Sequence, residues 1–367
     1  MYKLFFVLLL SFLLQGCLEK NGNVIEEISI DLKNAAQVSS DAAFDAFDYV
    51  KLEMTPESML SDIGKVLVNK DRIYVLPKLD ARVFIFSREG KFVNCLKRGQ
   101  GPGEVMFVSD MDIVDDVLYI LDNYRNVRKY DADGKFMENI HSLGDDYSFS
   151  MKYQNDTWLF FDPNVNKRSN HMLHIMSDDG NMTNYFPKEE NQKLNSFLHY
   201  NFCSGGYISW PLCDTIYQYI NQSSVLPKYW VRFSNNDFFD MQKDRKYTAD
   251  ELCKLNQNKS YYRWLKDVVP YDKGLFLSFN YDKSYFVRYE NGKTVIYDRL
   301  LDGFPEMKNS SVGNCNGSLI YVYAPEALLE SRTNGDLVDK TGKLQEICQT
   351  LSEDDNPILF FFNLSAN

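Results

Sequence analysis

Short runs of alternating apolar and polar residues, separated by turn residues, fill most of the chain after residue 43. The clearest pair is DRIYVLPKLDARVFIFSREGKFVN, from Asp71, and DVLYILDNYRNVRKYDADGKFMEN, from Asp116. Each reads as a turn, a strand containing tyrosine, a short polar loop, a second strand ending in an aromatic, a glycine turn, and Lys-Phe opening a third strand. Alternation with a period of two predicts strands. Glu89-Gly90 and Asp133-Gly134 predict tight hairpins, because glycine takes positive φ without a steric penalty. Weaker copies are DTWLFFDPNV with HMLHIMSDDGN, GGYISWPLCDTIYQYINQ, KGLFLSFNYDKSYFVRYENGK and NGSLIYVYAP.

The turn glycines Gly90, Gly134 and Gly180 lie 44 and 46 residues apart, and Gly274 and Gly317 lie 43 apart. A period in the forties with about four strands per unit is the pattern of propeller blades. Helix formers and three- and four-residue apolar spacing predict helical segments at residues 236–266 and 324–352. The remaining length from residue 43 holds six blades. The predicted fold is therefore all-β: a six-bladed β-propeller over 43–367 with two helical insertions on one face. Blade six lacks one strand, and AFDYVKLEM, from Ala46 to Met54, is the unassigned strand-like run. It is expected to pair beside the C-terminal strand and close the ring.

The N-terminus carries Lys3, an apolar run from Leu4 to Leu14, and Gln15-Gly16-Cys17. This is the layout of a secretory signal peptide over residues 1–16, and the run is too short to span a bilayer comfortably. The segment ending at Cys17 resembles a bacterial lipobox. That resemblance implies cleavage before Cys17, diacylglycerol on its sulfur and an acyl chain on its new amine, which together anchor stably. Residues 17–42 are mostly polar and read as a tether. The expected location is the cell envelope, lipid-anchored, most naturally at the outer membrane.

Composition sharpens the picture in three ways. With 26 Phe, 24 Tyr and 4 Trp, the chain favours strands. With 40 basic and 51 acidic residues, a net charge of −11 and no basic cluster, it argues against a nucleic-acid partner. Six cysteines remain beside Cys17 and show no close-spaced framework. They are expected as buried thiols, with a Cys203–Cys213 bridge across a hairpin left open.

Arg98-Gly99-Gln100-Gly101-Pro102-Gly103-Glu104, an aliphatic strand, Leu118-Tyr119-Ile120-Leu121-Asp122, Tyr130-Asp131 and Gly134 together resemble an NHL-type propeller repeat. Nearly the full chain is similar to the Bacteroides-type six-bladed β-propeller lipoproteins, through YVKLEMTPESMLSDIGKV, GQGPGE, DTIYQYI…LPKYWVRF and DDNPILFFFNL. The NHL repeat places an arginine before its third strand. Arg82 fills that place in blade one, whereas blade two has Asn126 there with Arg125 shifted by one. The resemblance implies fold and anchoring but no general activity.

The chemistry-bearing motifs are sparse. KRGQGPGEVM, residues 97–106, is either a nest of backbone N–H groups for an anion or an inter-blade hinge. It lacks the Lys-Ser/Thr and following helix of a P-loop. Asp131-Ala132-Asp133-Gly134 lacks the glutamate of a calcium loop. His171 and His174 sit three apart on a strand and point to opposite sides. Trp158, Trp210, Trp230 and Trp264 read as core. No catalytic residue, metal or cofactor is expected. The long insertions and inter-blade loops all fall at one end of the blades, and loops on a rigid scaffold are where binding residues concentrate. Candidate ligand-binding residues on that face are Lys78, Asp80, Arg98, Gln100, Glu104, Tyr124, Arg125 and Arg168. Two functions follow. One is a non-catalytic binding or scaffold module for a glycan, peptide or protein. The other is a propeller hydrolase or lyase with a carboxylate or metal site in the central channel.

Overall fold

The computed structural model describes residues 24–365, apart from 81, 145, 163–168, 189–201, 211–212, 234–263, 282, 307–310, 316, 336 and 338–341. Cys17, Arg168 and all but the end of the first expected helical segment therefore lie outside the described residues. The strands form six sheets, as the repeat predicts.

Blade one is β3 (Ile63–Val68), β4 (Arg72–Pro77), β5 (Phe84–Ser87) and β6 (Phe92–Cys95), numbered from the channel outward. Blade two is β7 (Val108–Val114), β8 (Val117–Asp122), β9 (Asn126–Tyr130) and β10 (Phe136–Ser142). Blade three is β11 (Ser150–Gln154), β12 (Thr157–Phe161), β13 (His171–Ser177) and β14 (Met182–Pro187). Blade four contains β15 (Cys203–Ser204), β16 (Tyr207–Ile208), β17 (Thr215–Asn221) and β18 (Ser224–Phe233). Blade five is β19 (Trp264–Tyr271), β20 (Gly274–Asn280), β21 (Ser284–Glu290) and β22 (Lys293–Tyr297).

Blade six comes from both ends of the chain. β23 (Gly313–Cys315), β24 (Ser318–Tyr323) and β25 (Ile358–Asn363) are completed by β2 (Asp48–Lys51), which runs antiparallel to β25 with Asp48 opposite Phe361. The expected ring closure is thus present. Between β24 and β25 stand α1 (Pro325–Thr333) and α2 (Lys343–Gln349), as the sequence predicts for 324–352. Proline in the first turn suits α1, since its missing N–H would have no helical partner there. Leu328, Leu344, Ile347 and Cys348 of the two helices join Phe360 and Phe362 in one buried cluster.

Two expectations are corrected. Residues 264–266, placed in a helical segment, open strand β19, where the tryptophan pairs across to Asn280. Residues 26–30, placed in the tether, form β1 (Glu26–Ile30), a fifth strand running parallel to β18. From there the chain follows the rim. Val38 bridges Ile296 on the outer strand of blade five, and Phe44 bridges Leu301 before β2 closes blade six. Ile28, Ile30, Ala43, Phe44 and Phe47 are all buried. Arg288, itself buried, donates to the Ala43 carbonyl at 3.1 Å and the Leu364 carbonyl at 3.0 Å, clamping the strap to the C-terminus.

Strand alternation suggests one buried face, yet β4, β12 and β20 are buried along nearly their whole length. A middle strand is covered on both faces because its blade is sandwiched between two others. The outer strands β10 and β14 carry the exposed positions. Blade packing also dictates one glycine. A Cβ at Gly313 would sit 2.1 Å from the Val66 carbonyl oxygen, where β23 meets β3 across the ring junction.

Candidate ligand-binding face

At one end of the blades the β3–β4, β7–β8 and β11–β12 connections are tight turns. At the other end lie the loops between second and third strands, the inter-blade loops, and α1 and α2. We call this second end the loop face.

The glycine loop after β6 is built around its own glutamate. The Gly101 N–H donates to Glu104 Oε2 at 2.8 Å, and the Glu104 N–H returns to the Gly101 carbonyl at 3.0 Å. A Cβ at Gly99 would lie 2.0 Å from Glu104 Oε2, so the carboxylate occupies the space a side chain would need. The loop is further fastened by Arg128, which donates to the Glu104 carbonyl at 2.7 Å, and by Asp122 Oδ1, which accepts the Met106 and Phe107 N–H groups at 2.9 Å. Arg128 Nη2 lies 2.9 Å from Asp122 Oδ2, near enough for an ion pair although not aligned as a hydrogen bond. Of the two sequence readings, the hinge describes this loop best: the nest is filled from within.

Beside it opens a cavity of about 860 Å³, whose lining includes Met59, Leu79, Asp80, Arg82, Lys97, Arg98 and Glu104. Three predicted residues, Asp80, Arg98 and Glu104, therefore meet. Both acids are committed. Asp80 binds Arg82 through both oxygens, at 2.9 and 2.6 Å, and the guanidinium lies 5.1 Å over the Phe84 ring. Lys97 and Arg98 are exposed, and their side chains have no hydrogen-bond or ion-pair partner among the described residues. Lys78 stands apart, paired with Asp62 at 2.7 Å. Gln100 is exposed outside the cavity lining.

Tyr124 and Arg125 belong to a second group. The Tyr124 ring packs on Phe107, Phe149 and Tyr147 with centroids at 5.1, 4.8 and 5.9 Å, and Arg125 lies 4.3 Å over Tyr147. Asn123 and Tyr124 both have positive φ, 51° and 64°. That is unusual for tyrosine and costs of order 1–3 kcal/mol. The aromatic contacts and a 2.8 Å bond from the Ser148 N–H to the Tyr124 carbonyl hold it.

Sequence reasoning missed Met59, Leu79 and Lys97. Leu79 interrupts an otherwise polar loop, Lys-Leu-Asp, and Lys97 adjoins Arg98. Those were usable signals. Met59 reaches the cavity because the connection from β2 to β3, residues 52–62, runs from blade six to blade one.

The channel carries carboxylates, but they are engaged. Asp110 accepts from Lys65 Nζ at 2.7 Å, the Met111 N–H at 2.8 Å and the Met151 N–H at 2.7 Å. Asp112 accepts from Lys152 Nζ at 2.7 Å and the Tyr153 N–H at 2.8 Å. Each aspartate of β7 thus satisfies backbone donors on the open edge of β11. Between blades five and six, Asp267 accepts from Ser278, from the Ser311 N–H at 3.1 Å and hydroxyl at 2.6 Å, and from the Tyr321 hydroxyl at 3.3 Å. Burial raises its pKa. Among the described residues, no three His, Cys, Asp or Glu side chains are placed to share a metal ion. His174 is buried, with one ring nitrogen on Ser169 at 2.6 Å and the other on Asn184 at 2.7 Å; burial lowers its pKa. Cys203 and Cys213 are free thiols, both pushed up to about 12 by burial.

Six blades around an engaged channel, with an open cavity on one loop-bearing face, define a six-bladed β-propeller. Residues 25–363 match the family described as a domain of unknown function (DUF4934), and the chain belongs to that family. A crystal structure of a Bacteroides fragilis protein described as exported superposes with a TM-score of 0.70 at 18% identity, covering 91% of this chain and 98% of that one. The extracellular domain of a hybrid two-component system from B. thetaiotaomicron gives 0.41 at 12% identity, covering 76% of this chain and 32% of that one. No curated protein matches the chain.

Proposed function

We propose that this propeller is a non-catalytic binding module of the cell envelope, held at the outer membrane by lipid on Cys17, that takes a glycan, peptide or protein ligand on its loop face. The observation that carries the reading is the open cavity lined from the 79–82 and 97–104 loops, where two cations stand without partners among the described residues. The commitment of Asp110 and Asp112 to lysines and backbone donors supports a structural channel over a hydrolase or lyase centre. The exported character of the B. fragilis relative is in keeping with an envelope location.

The test is to screen the lipid-free mature chain, carrying Cys17→Ala, against glycan and peptide arrays. Any hit is then titrated against Arg98→Ala, Tyr124→Ala and Arg125→Ala, with Glu89→Ala and Asp133→Ala as controls on the turn face. The expected result is a loss of roughly tenfold or more in at least one loop-face variant, with the controls unchanged. Loss confined to the controls puts the site at the other end.

Anchoring has its own readout. In cells, Cys17→Ala should move the protein from the membrane pellet to the soluble fraction. Protein that still pellets after an alkaline wash rejects the lipobox.

A further inference from the structure

Large apolar side chains left in water mark binding surfaces when they cluster. Setting aside Val24, the first described residue, the two most exposed large hydrophobic residues among those described are Leu79 at 85% and Met59 at 61%. They come from different loops, yet both line the same cavity. Lys97 and Arg98 line it as well. Apolar and cationic side chains lining one cavity make a two-part chemical requirement.

The local acids do not meet it. Asp80 is held by Arg82 through both oxygens, and Glu104 is folded onto the Gly101 N–H. Among the described residues, the two cations are therefore left to an incoming anion. The cavity is also open on one side, whereas small-molecule sites enclose 70–90% of their ligand's surface, by general experience. An open surface with mixed chemistry suits a chain laid across it. None of the described residues lining the cavity lies in a sheet strand, so side-chain chemistry supplies the recognition.

We infer that this cavity docks an acidic–apolar polypeptide segment of a partner protein, a carboxylate side chain meeting Lys97 and Arg98 while its apolar neighbours cover Leu79 and Met59. The inference rests on the binding-module reading above and narrows it to one ligand class and one site. Arg98 supplies a planar fork matched to a carboxylate, and Lys97 a mobile point charge beside it. Because both cations are exposed, their contribution falls as salt screens it.

The probe is a labelled peptide, Gly-Leu-Asp-Leu-Leu-Asp-Leu-Gly, titrated by fluorescence polarisation into the lipid-free mature chain. Two matched peptides replace every Asp by Asn or every Leu by Ser. The acidic–apolar peptide should bind, and each replacement should weaken it by roughly tenfold or more. Lys97→Ala with Arg98→Ala should give a similar loss and flatten the salt dependence. Leu79→Ser should weaken binding with the salt dependence retained. Met137→Ser, an exposed apolar residue on the outer strand of blade two, should change nothing. All the substituted positions are exposed, and unchanged denaturation curves confirm that each variant is folded.

Failure of the acidic–apolar peptide to bind overturns the inference, as does equal binding by the Lys97/Arg98 variant or by the Asn peptide. If the array screen still yields a ligand sensitive to Tyr124 or Arg125, the binding-module reading survives that failure. If no ligand depends on the loop face, both fall.

Discussion

Removal of residues 43–54 should cost this propeller about its whole folding stability, of order 5–15 kcal/mol for a globular domain. The segment contributes more than one edge strand. Phe44 packs on Phe276 and Phe362 with ring centroids at 5.7 and 5.3 Å, and Phe47 on Phe304 and Phe360 at 5.7 and 5.5 Å. Truncating one such buried phenylalanine to alanine costs about 3–5 kcal/mol, and the deletion removes two. It also takes the four ladder partners of β25, leaving a phenylalanine-rich edge open to other chains. The buried Arg288 loses the Ala43 carbonyl and the Phe44 ring, 5.2 Å from its guanidinium carbon. Urea denaturation of the full mature chain against the deletion decides the matter, with Phe47→Ala as a milder intermediate. A deletion that unfolds at the same midpoint as the intact chain would show that blade six closes without the strap.

Asp110→Ala should destabilise the fold by about 3–5 kcal/mol, the penalty for breaking a buried ion pair by removing one partner. Lys65 is left mostly buried beside a gap where its 2.7 Å partner stood. The Met111 and Met151 N–H groups lose their acceptor as well, and unsatisfied buried donors each cost about 1–3 kcal/mol. Coupling can be read from a double-mutant cycle. Asp110→Ala with Lys65→Met should cost less than the sum of the two single changes, since the second substitution removes the stranded charge. An additive cycle, or an Asp110→Ala variant as stable as the parent, would free Asp110 from this structural role. It would also reopen the channel as a reactive site.

These two predictions sit on opposite sides of what local sequence can report. β2 was legible because AFDYVKLEM is a strand-like run with no other assignment, and because counting strands left blade six one short. The glycine turns were legible for a similarly local reason. Gly90, Gly134 and Gly180 all take positive φ, at 84°, 82° and 84°, and only the residue itself and its neighbours decide that. The helical character of 324–352 was likewise carried by short-range spacing.

β1 was not legible as a blade strand. Glu26 pairs with Tyr229 in parallel, and no turn joins the two segments. A parallel partner so distant in the chain leaves no mark on EEISI beyond a brief alternation. The roles of the β7 aspartates were not legible either. Two carboxylates, at 110 and 112, within an apolar strand are compatible with a catalytic pair until Lys65, Lys152 and the open edge of β11 are placed around them.

The amino-acid sequence by itself determined the units: which runs are strands, where they turn, how many blades the length supports and which end of each blade carries long loops. These depend on backbone preferences and periodicity acting over a few residues. Only the tertiary structure decided which units meet. Closing the ring brings Met59 to Leu79 and both to Lys97 and Arg98, folds Glu104 into its own glycine loop, and pairs Asp110 with Lys65 on the neighbouring blade. Such contacts join residues far apart in the chain, and they form because burying apolar blade faces against one another leaves a single closed arrangement.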